Sequence, residues 1–200
     1  AQDGICPTPN IARLQAMGTT FGNAVTSNPV CMPTRATLAT GLTTRGHGVL
    51  ENGYQLDPKL PTFMQALQRA GWRTGALGKV HLTPHFRGMR PDYRPFGYDV
   101  THITEDARCG EWLDWVAREH PEHYREALAM VWHWPNHPRP AKAAQADQAR
   151  EEILAPLRRA SDWDFAYASP LPPEAHDTTY ITNLGLDFME RHRAHHGDQP

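Results

Sequence analysis

Apolar residues recur along this chain in short helical runs, separated by joints of proline and glycine. Thr8-Pro9-Asn10 precedes Ile11, Ala12, Leu14, Ala16 and Met17, and Gly18 follows. That spacing predicts a capped helix with Ile11 and Leu14 on one face. Thr20 to Thr26 suits a short strand. Pro33 fits the first turn of a helix, where its missing N–H costs nothing; Thr34 to Thr40 continue it and Gly41 ends it. Leu60-Pro61-Thr62 opens another helix, with Phe63, Leu67 and Ala70 at helical spacing, Met64 alongside and Gly71 closing it. Trp72 to Leu77 follows as a strand ending at Gly78-Lys79. A helix, a tight turn and a strand predict an α/β layer.

The second half reads less sharply. Proline, glycine and tyrosine argue for loop from Arg87 to about Asp99. Glu111 to Met130 predicts two helices broken near Pro121. Residues 131–140 are irregular. Ala141 to Arg159 is helix-prone, with Pro156 interrupting. Asp177 to His192 predicts a long helix facing a core through Ile181, Leu184 and Phe188, with Leu186 a further candidate. There is no internal repeat and no low-complexity tract.

Composition narrows the classes. At 200 residues, with 40% hydrophobic and 21% charged positions, the chain has room for one domain with a sizeable core. A net charge of −2 makes no electrostatic case for nucleic acid or a membrane surface. No apolar run approaches the length of a membrane span. Cys6, Cys31 and Cys109 lack CxxC spacing, so neither a zinc site nor a disulfide framework is indicated, and nothing in the sequence supports a Cys6–Cys109 bridge. His81 and His85 are four apart, but Pro84 breaks the helix that would pair them on a metal. The aromatic, histidine-rich run at 132–137 suits a pocket wall, a subunit contact or a solvated loop equally. Ala1 is no initiator, and both ends read as cuts through a longer protein.

The chemistry concentrates in Cys31-Met32-Pro33-Thr34-Arg35, continued by Thr40-Gly41. The helix start places Cys31 beside free N–H groups and the positive end of a helix dipole, a setting suited to a sulfate or phosphate ester. Arg35 follows about one turn later, where a guanidinium can grip an oxyanion. Cys-x-Pro-x-Arg with a Thr-Gly ending resembles the signature of type I sulfatases. In that family the cysteine is oxidised to formylglycine, whose hydrated aldehyde is the nucleophile and a metal ligand.

Further stretches extend the resemblance. Thr8-Pro9-Asn10-Ile11-Ala12-Arg13-Leu14 is similar to the family's helix entry, and Phe21-Gly22-Asn23-Ala24 to its approach to the nucleophile. Arg45-Gly46-His47-Gly48 is similar to its Arg-x-His-Gly turn, and Gly78-Lys79-Val80-His81 to its Gly-Lys-x-His segment. His176-Asp177-Thr178 and Leu186-Asp187-Phe188 resemble the helix after a variable insert. The resemblance implies catalytic roles for Cys31, Arg35, Lys79 and His81, with Lys79 on the ester oxyanion and His81 on the formylglycine hydroxyl. Asn52 matches an asparagine that contacts substrate in phosphonate monoester hydrolase and choline-sulfatase relatives, although Asn52-Gly53 is also an ordinary turn pair. His47 reads as a structural turn residue. Thr34 is a candidate for positioning residue 31 or for capping.

The implied fold is α/β: a mixed, mostly parallel sheet sandwiched between helices, as in the alkaline phosphatase superfamily. Residues 1–200 would form part of that domain, with 1–85 carrying the nucleophile, 86–170 a variable insert and 171–200 returning to the core. The implied cofactor is a divalent cation, calcium first and manganese or magnesium next. Cys31 is its one ligand in this chain, because the family's acidic pairs fall outside these residues and Asp3 lies too close to Thr8 to replace them. The chain alone is therefore expected to turn over little. The implied partners are a small-molecule sulfate or phosphonate ester and a formylglycine-generating enzyme, with no nucleic acid and no membrane; homo-oligomerisation stays open. The bacterial cytoplasm or periplasm is the first candidate location. The implied reaction is sulfate ester hydrolysis. Phosphonate monoester or phosphodiester hydrolysis, or a non-catalytic fragment with a cysteine thiol, are the alternatives.

Overall fold

Two short parallel strands organise the molecule. The computed structural model describes residues 7–84, 90–131, 143–159 and 167–197. Strand β1 (Gly75–Gly78) pairs with β2 (Val100–Ile103), Gly75 opposite Val100 and Gly78 opposite Ile103. Asp99 anchors the strand entries: its Oδ2 accepts from the Thr74 backbone N–H at 2.8 Å and from the Thr74 hydroxyl at 3.0 Å. A parallel pair survives when helices cover both its faces. Helices α1 (Pro9–Met17), α2 (Cys31–Thr40), α3 (Thr44–His47) and α4 (Phe63–Arg69) precede it. Helices α5 (Glu111–Glu119), α6 (Tyr124–Ala129), α7 (Ala143–Ala149), α8 (Ala155–Arg159) and α9 (Asp177–His195) follow.

One face of the sheet meets α2 and α4 in a core of Met32, Ala36, Leu56, Met64, Ala76 and Phe96 among others. Burying a side chain such as Leu56 or Phe96 stabilises by about 2 kcal/mol. On the other face α9 lies so close that a Cβ on Gly75 would sit 3.2 Å from the Phe188 ring. A second core joins α5, α6 and the start of α9 around Trp112, Val116, Leu128 and Tyr180. Trp112 donates its indole N–H to the Ala175 carbonyl at 3.1 Å, which satisfies the polar edge of a fully buried ring. The chain is thus a parallel strand pair with helices on both faces, part of an α/β domain.

Several sequence expectations need correction. Thr20 to Thr26 forms no strand: Gly22 and Asn23 turn, the rest is irregular, and Phe21 and Val25 are 79% and 94% exposed. Helix α1 forms where its proline and Gly18 place it but buries no residue, so Ile11 and Leu14 face no core among the described residues. In α4 the buried side chain is Met64, while Phe63 is exposed. Leu186 is also exposed. Pro156 does not break its helix: a π-helical stretch, Arg150–Leu154, precedes it and absorbs the lost bond. Strand β2 has no counterpart in the sequence reading. Cys6, His85 and the 132–137 run lie outside the described residues. No helix among the described residues is long and apolar enough to cross a membrane.

Candidate active site

The start of α2 is built by its neighbours. Asn28 accepts the Val30 N–H on Oδ1 at 2.9 Å, turning the chain into the helix. The Thr34 hydroxyl donates back to the Asn28 carbonyl and lies 3.1 Å from the Thr26 hydroxyl. Thr34 thus ties the preceding loop to α2 rather than capping the helix, whose N-cap is Val30. Gly41 closes α2 in the left-handed region at φ +70°. Half-buried Cys31 is its first residue.

The N–H groups expected to face an anion there are largely committed. Asn52 Oδ1 accepts the Met32 N–H at 2.9 Å, Pro33 has none, and the Thr34 N–H bonds the Val30 carbonyl at 3.1 Å. An anion beside Cys31 would therefore be held mainly by side chains. Asn52, a candidate substrate contact or turn residue in the sequence, braces the start of α2 through its Oδ1.

The segment leaving β1 supplies the opposite wall. Gly78 has φ +99° and His81 has φ +53°, so the chain bends sharply between them. Arg35 reaches across from α2 and donates Nη1 to the Lys79 carbonyl at 2.7 Å. The Lys79 ammonium lies 2.6 Å from both oxygens of Asp106. The His81 N–H donates to Glu105 Oε1 at 3.1 Å, and the Tyr93 hydroxyl donates to the same oxygen at 2.9 Å. Burial and the Glu105 charge push the Tyr93 hydroxyl pKa well up, so it remains a donor.

These contacts gather three potential ligands. The Cys31 thiol, a His81 ring nitrogen and an Asp106 oxygen all lie within 4.8 Å of one another. Sulfur, nitrogen and one carboxylate form a donor set of zinc type. A calcium ion takes six to eight oxygens, and the one carboxylate here is held by Lys79. The residues gathered here therefore do not fit calcium by themselves.

The structure brings Cys31, Arg35, Lys79 and His81 together and adds Asp106, Glu105 and Tyr93, which the sequence reading missed. The Glu105-Asp106 pair follows the carboxyl end of a parallel strand, where α/β sites form; recognising β2 would have exposed it. A cleft of about 450 Å³ adjoins the cluster at Lys79 and Asp106, with Arg108, Arg150, Arg158 and Tyr167 on its far walls. A larger cleft of about 620 Å³, walled by Trp115, Tyr180 and the His102–Glu111 pair, includes none of these catalytic candidates.

Comparison with known proteins places this geometry in context. The mouse protein arylsulfatase K is 40% identical over 95 residues, covering 48% of this chain and 17% of its own length. Choline-sulfatase of Rhizobium meliloti is 28% identical over 124 residues, covering 54% of this chain and 22% of that protein. Human N-acetylgalactosamine-6-sulfatase is 29% identical over 161 residues, covering 70% and 28%. The chain thus spans under a third of the length of these relatives. The crystal structure of phosphonate monoester hydrolase of Agrobacterium radiobacter superposes with a TM-score of 0.51 at 22% identity, over 82% of this chain and 29% of that one. That likeness carries the fold. The family model described as Sulfatase matches residues 2–113, more than half of the sequence, and the chain belongs to the sulfatase family.

Proposed function

We propose that the protein of which this chain is part hydrolyses sulfate esters, with residue 31 as a formylglycine nucleophile derived from Cys31. The observation that carries this reading is the cluster at the first residue of α2: ligand atoms of Cys31, His81 and Asp106 lie within 4.8 Å of one another, Lys79 is held on Asp106, and Arg35 on the Lys79 carbonyl. A formylglycine-generating enzyme would act on Cys31 during maturation. Once formed, the group would supply a hydrated aldehyde: one hydroxyl to attack sulfur as the bond from sulfur to the alcohol oxygen breaks and the alcohol leaves, and a second whose deprotonation would break the C–O bond to sulfate and regenerate the aldehyde, which water rehydrates.

The chain's own residues then divide the work. Lys79 holds the ester oxyanion and offsets the charge that grows on the equatorial oxygens. Arg35 spends one of its five donors on the Lys79 carbonyl, which fixes the lysine, and adds positive charge beside the sulfuryl group. His81, beside residue 31, takes the proton from its hydroxyl. Asn52 holds the helix start rigid through the Met32 N–H. A divalent cation, calcium first, would need oxygen donors beyond those gathered here.

The test uses the full-length protein made together with a formylglycine-generating enzyme. Mass spectrometry of the peptide spanning Cys31 should show formylglycine, and turnover of an aryl sulfate should exceed that of an aryl phosphonate monoester. An unmodified thiol would overturn the nucleophile assignment. A preference for the phosphonate would reassign the substrate class and keep the nucleophile.

A further inference from the structure

A histidine in the left-handed region costs about 1 kcal/mol or more and persists only where its surroundings hold it there. His81 is such a residue, at φ +53°, and it is 4% exposed. Its backbone N–H is bonded to Glu105 Oε1, which also accepts the Tyr93 hydroxyl. Glu105 and Tyr93 are themselves buried, at 5% and 0% exposure. A carboxylate so placed is costly unless its oxygens are bonded, and it repays that cost by fixing its donors. The next residue, Asp106, takes Lys79 from the same turn. One dipeptide at the end of β2 therefore grips both ends of the 79–81 segment.

We propose that Glu105, held by Tyr93, is a positioning residue: it fixes the left-handed backbone of His81 and so aims the imidazole at residue 31. The inference rests on the sulfatase reading for its kinetic consequence but not for its structural one. Without the carboxylate, residue 81 relaxes toward ordinary backbone angles. The imidazole then turns away from residue 31 while Lys79 still binds the ester. Glu105 bonds the backbone of His81 rather than its ring, so its effect on the imidazole travels through the conformation of residue 81.

The experiment compares Glu105→Ala, Glu105→Gln and Tyr93→Phe in the full-length matured protein. Glu105→Ala should lower kcat by about 100-fold, the scale of a misplaced proton-transfer group, with KM within about threefold. Glu105→Gln keeps a carbonyl acceptor and should recover most of the loss. Tyr93→Phe, the mildest change, should give a smaller fall in kcat. Imidazole NMR of His81, assigned with His81→Gln, supplies a readout independent of turnover: its signals should move in Glu105→Ala and return close to their wild-type positions in Glu105→Gln. His81 signals unmoved in Glu105→Ala, or no recovery of kcat in Glu105→Gln, would overturn the proposal, even if stability falls. Wild-type protein inert toward every ester would overturn the hydrolase reading instead, and the NMR comparison would still decide the role of Glu105.

Discussion

The Arg35 guanidinium donates to the Lys79 carbonyl at 2.7 Å, and that bond joins α2 to the turn leaving β1. One side chain thus supplies positive charge and sets the spacing between two catalytic candidates. A lysine at 35 would bring the charge but not the planar fork. Arg35→Lys should therefore lower kcat/KM by about 100-fold, in the range of a lost oxyanion donor. Arg35→Ala should in addition cost roughly 1.5–3 kcal/mol of stability, the value of a hydrogen bond from a charged group. Steady-state kinetics and urea unfolding of the two variants separate these effects.

On the proposed reading, Asp106 would compete with an anionic substrate for Lys79. Asp106 holds the ammonium through both oxygens, and the pair is only partly shielded, at 22% and 37% exposure. A sulfate ester must share or displace that carboxylate. Replacing Asp106 by Asn removes about 1 kcal/mol of competing attraction. Inorganic sulfate should then inhibit about fivefold more tightly. An inhibition constant that weakens instead would show that Asp106 helps to hold the anion.

Gly97 makes the sharpest backbone prediction. It has φ +95°, and a Cβ there would lie 2.4 Å from the Gln65 backbone nitrogen. The close approach exists because α4 is strapped to this loop: Thr62 donates its hydroxyl to the Phe96 carbonyl at 2.7 Å, and Gln65 donates its amide to Pro95 at 2.9 Å. The same two side chains form the capping box of α4. Gly97→Ala adds a steric clash to a backbone strain and should cost about 3 kcal/mol. Thermal melting of the variant checks it.

What the sequence reveals follows from how local each cause is. Helix α2 is legible because Pro33 suits a first turn and Gly41 a left-handed end, both local signals, although Asn28 and Asn52 help to build its start. The β1 exit is legible through Gly78 and the residues that follow it. Strand β2 is not, because Thr101 and His102 interrupt its apolar pattern and its pairing partner lies a long way back in the chain. Losing β2 from view also hides Glu105 and Asp106. Thr20 to Thr26 has the composition of a strand, but a strand needs a neighbour, and none pairs with it among the described residues. Asn52 shows the same limit: its turn is local, whereas its bond to Met32 spans 20 residues.

The donors gathered at Cys31 do not suit calcium. Calcium needs a cage of oxygens, and the cluster at Cys31 supplies one carboxylate already occupied by Lys79. Residues 1–200 as a folded chain should therefore melt at the same temperature in millimolar calcium and in chelator. A micromolar site would instead raise stability by about 4 kcal/mol under those conditions. A saturable calcium-dependent rise in Tm would show that the chain carries more of the site than these contacts provide.

His47 makes stability depend on pH. Its Nδ1 accepts the Val49 N–H at 3.1 Å, so the ring proton sits on Nε2, which lies 3.0 Å from the Thr37 hydroxyl. Protonating Nδ1 would break the Val49 bond and bury a charge. Burial lowers the His47 pKa below the ordinary 6.5, against a smaller opposing effect of a bond to the Pro33 backbone. The folded state therefore binds this proton less readily than the unfolded chain. The stabilising effect is complete above about pH 6.5 and is lost as pH falls through the lowered folded value, with a slope of at most about 1.4 kcal/mol per pH unit. Urea midpoints measured from about pH 7 down to about pH 5 should fall for the native chain. They should fall less steeply for His47→Gln, whose side chain does not titrate, and the difference between the two curves isolates His47 from the other histidines. Parallel curves would mean that His47 protonates as easily folded as unfolded.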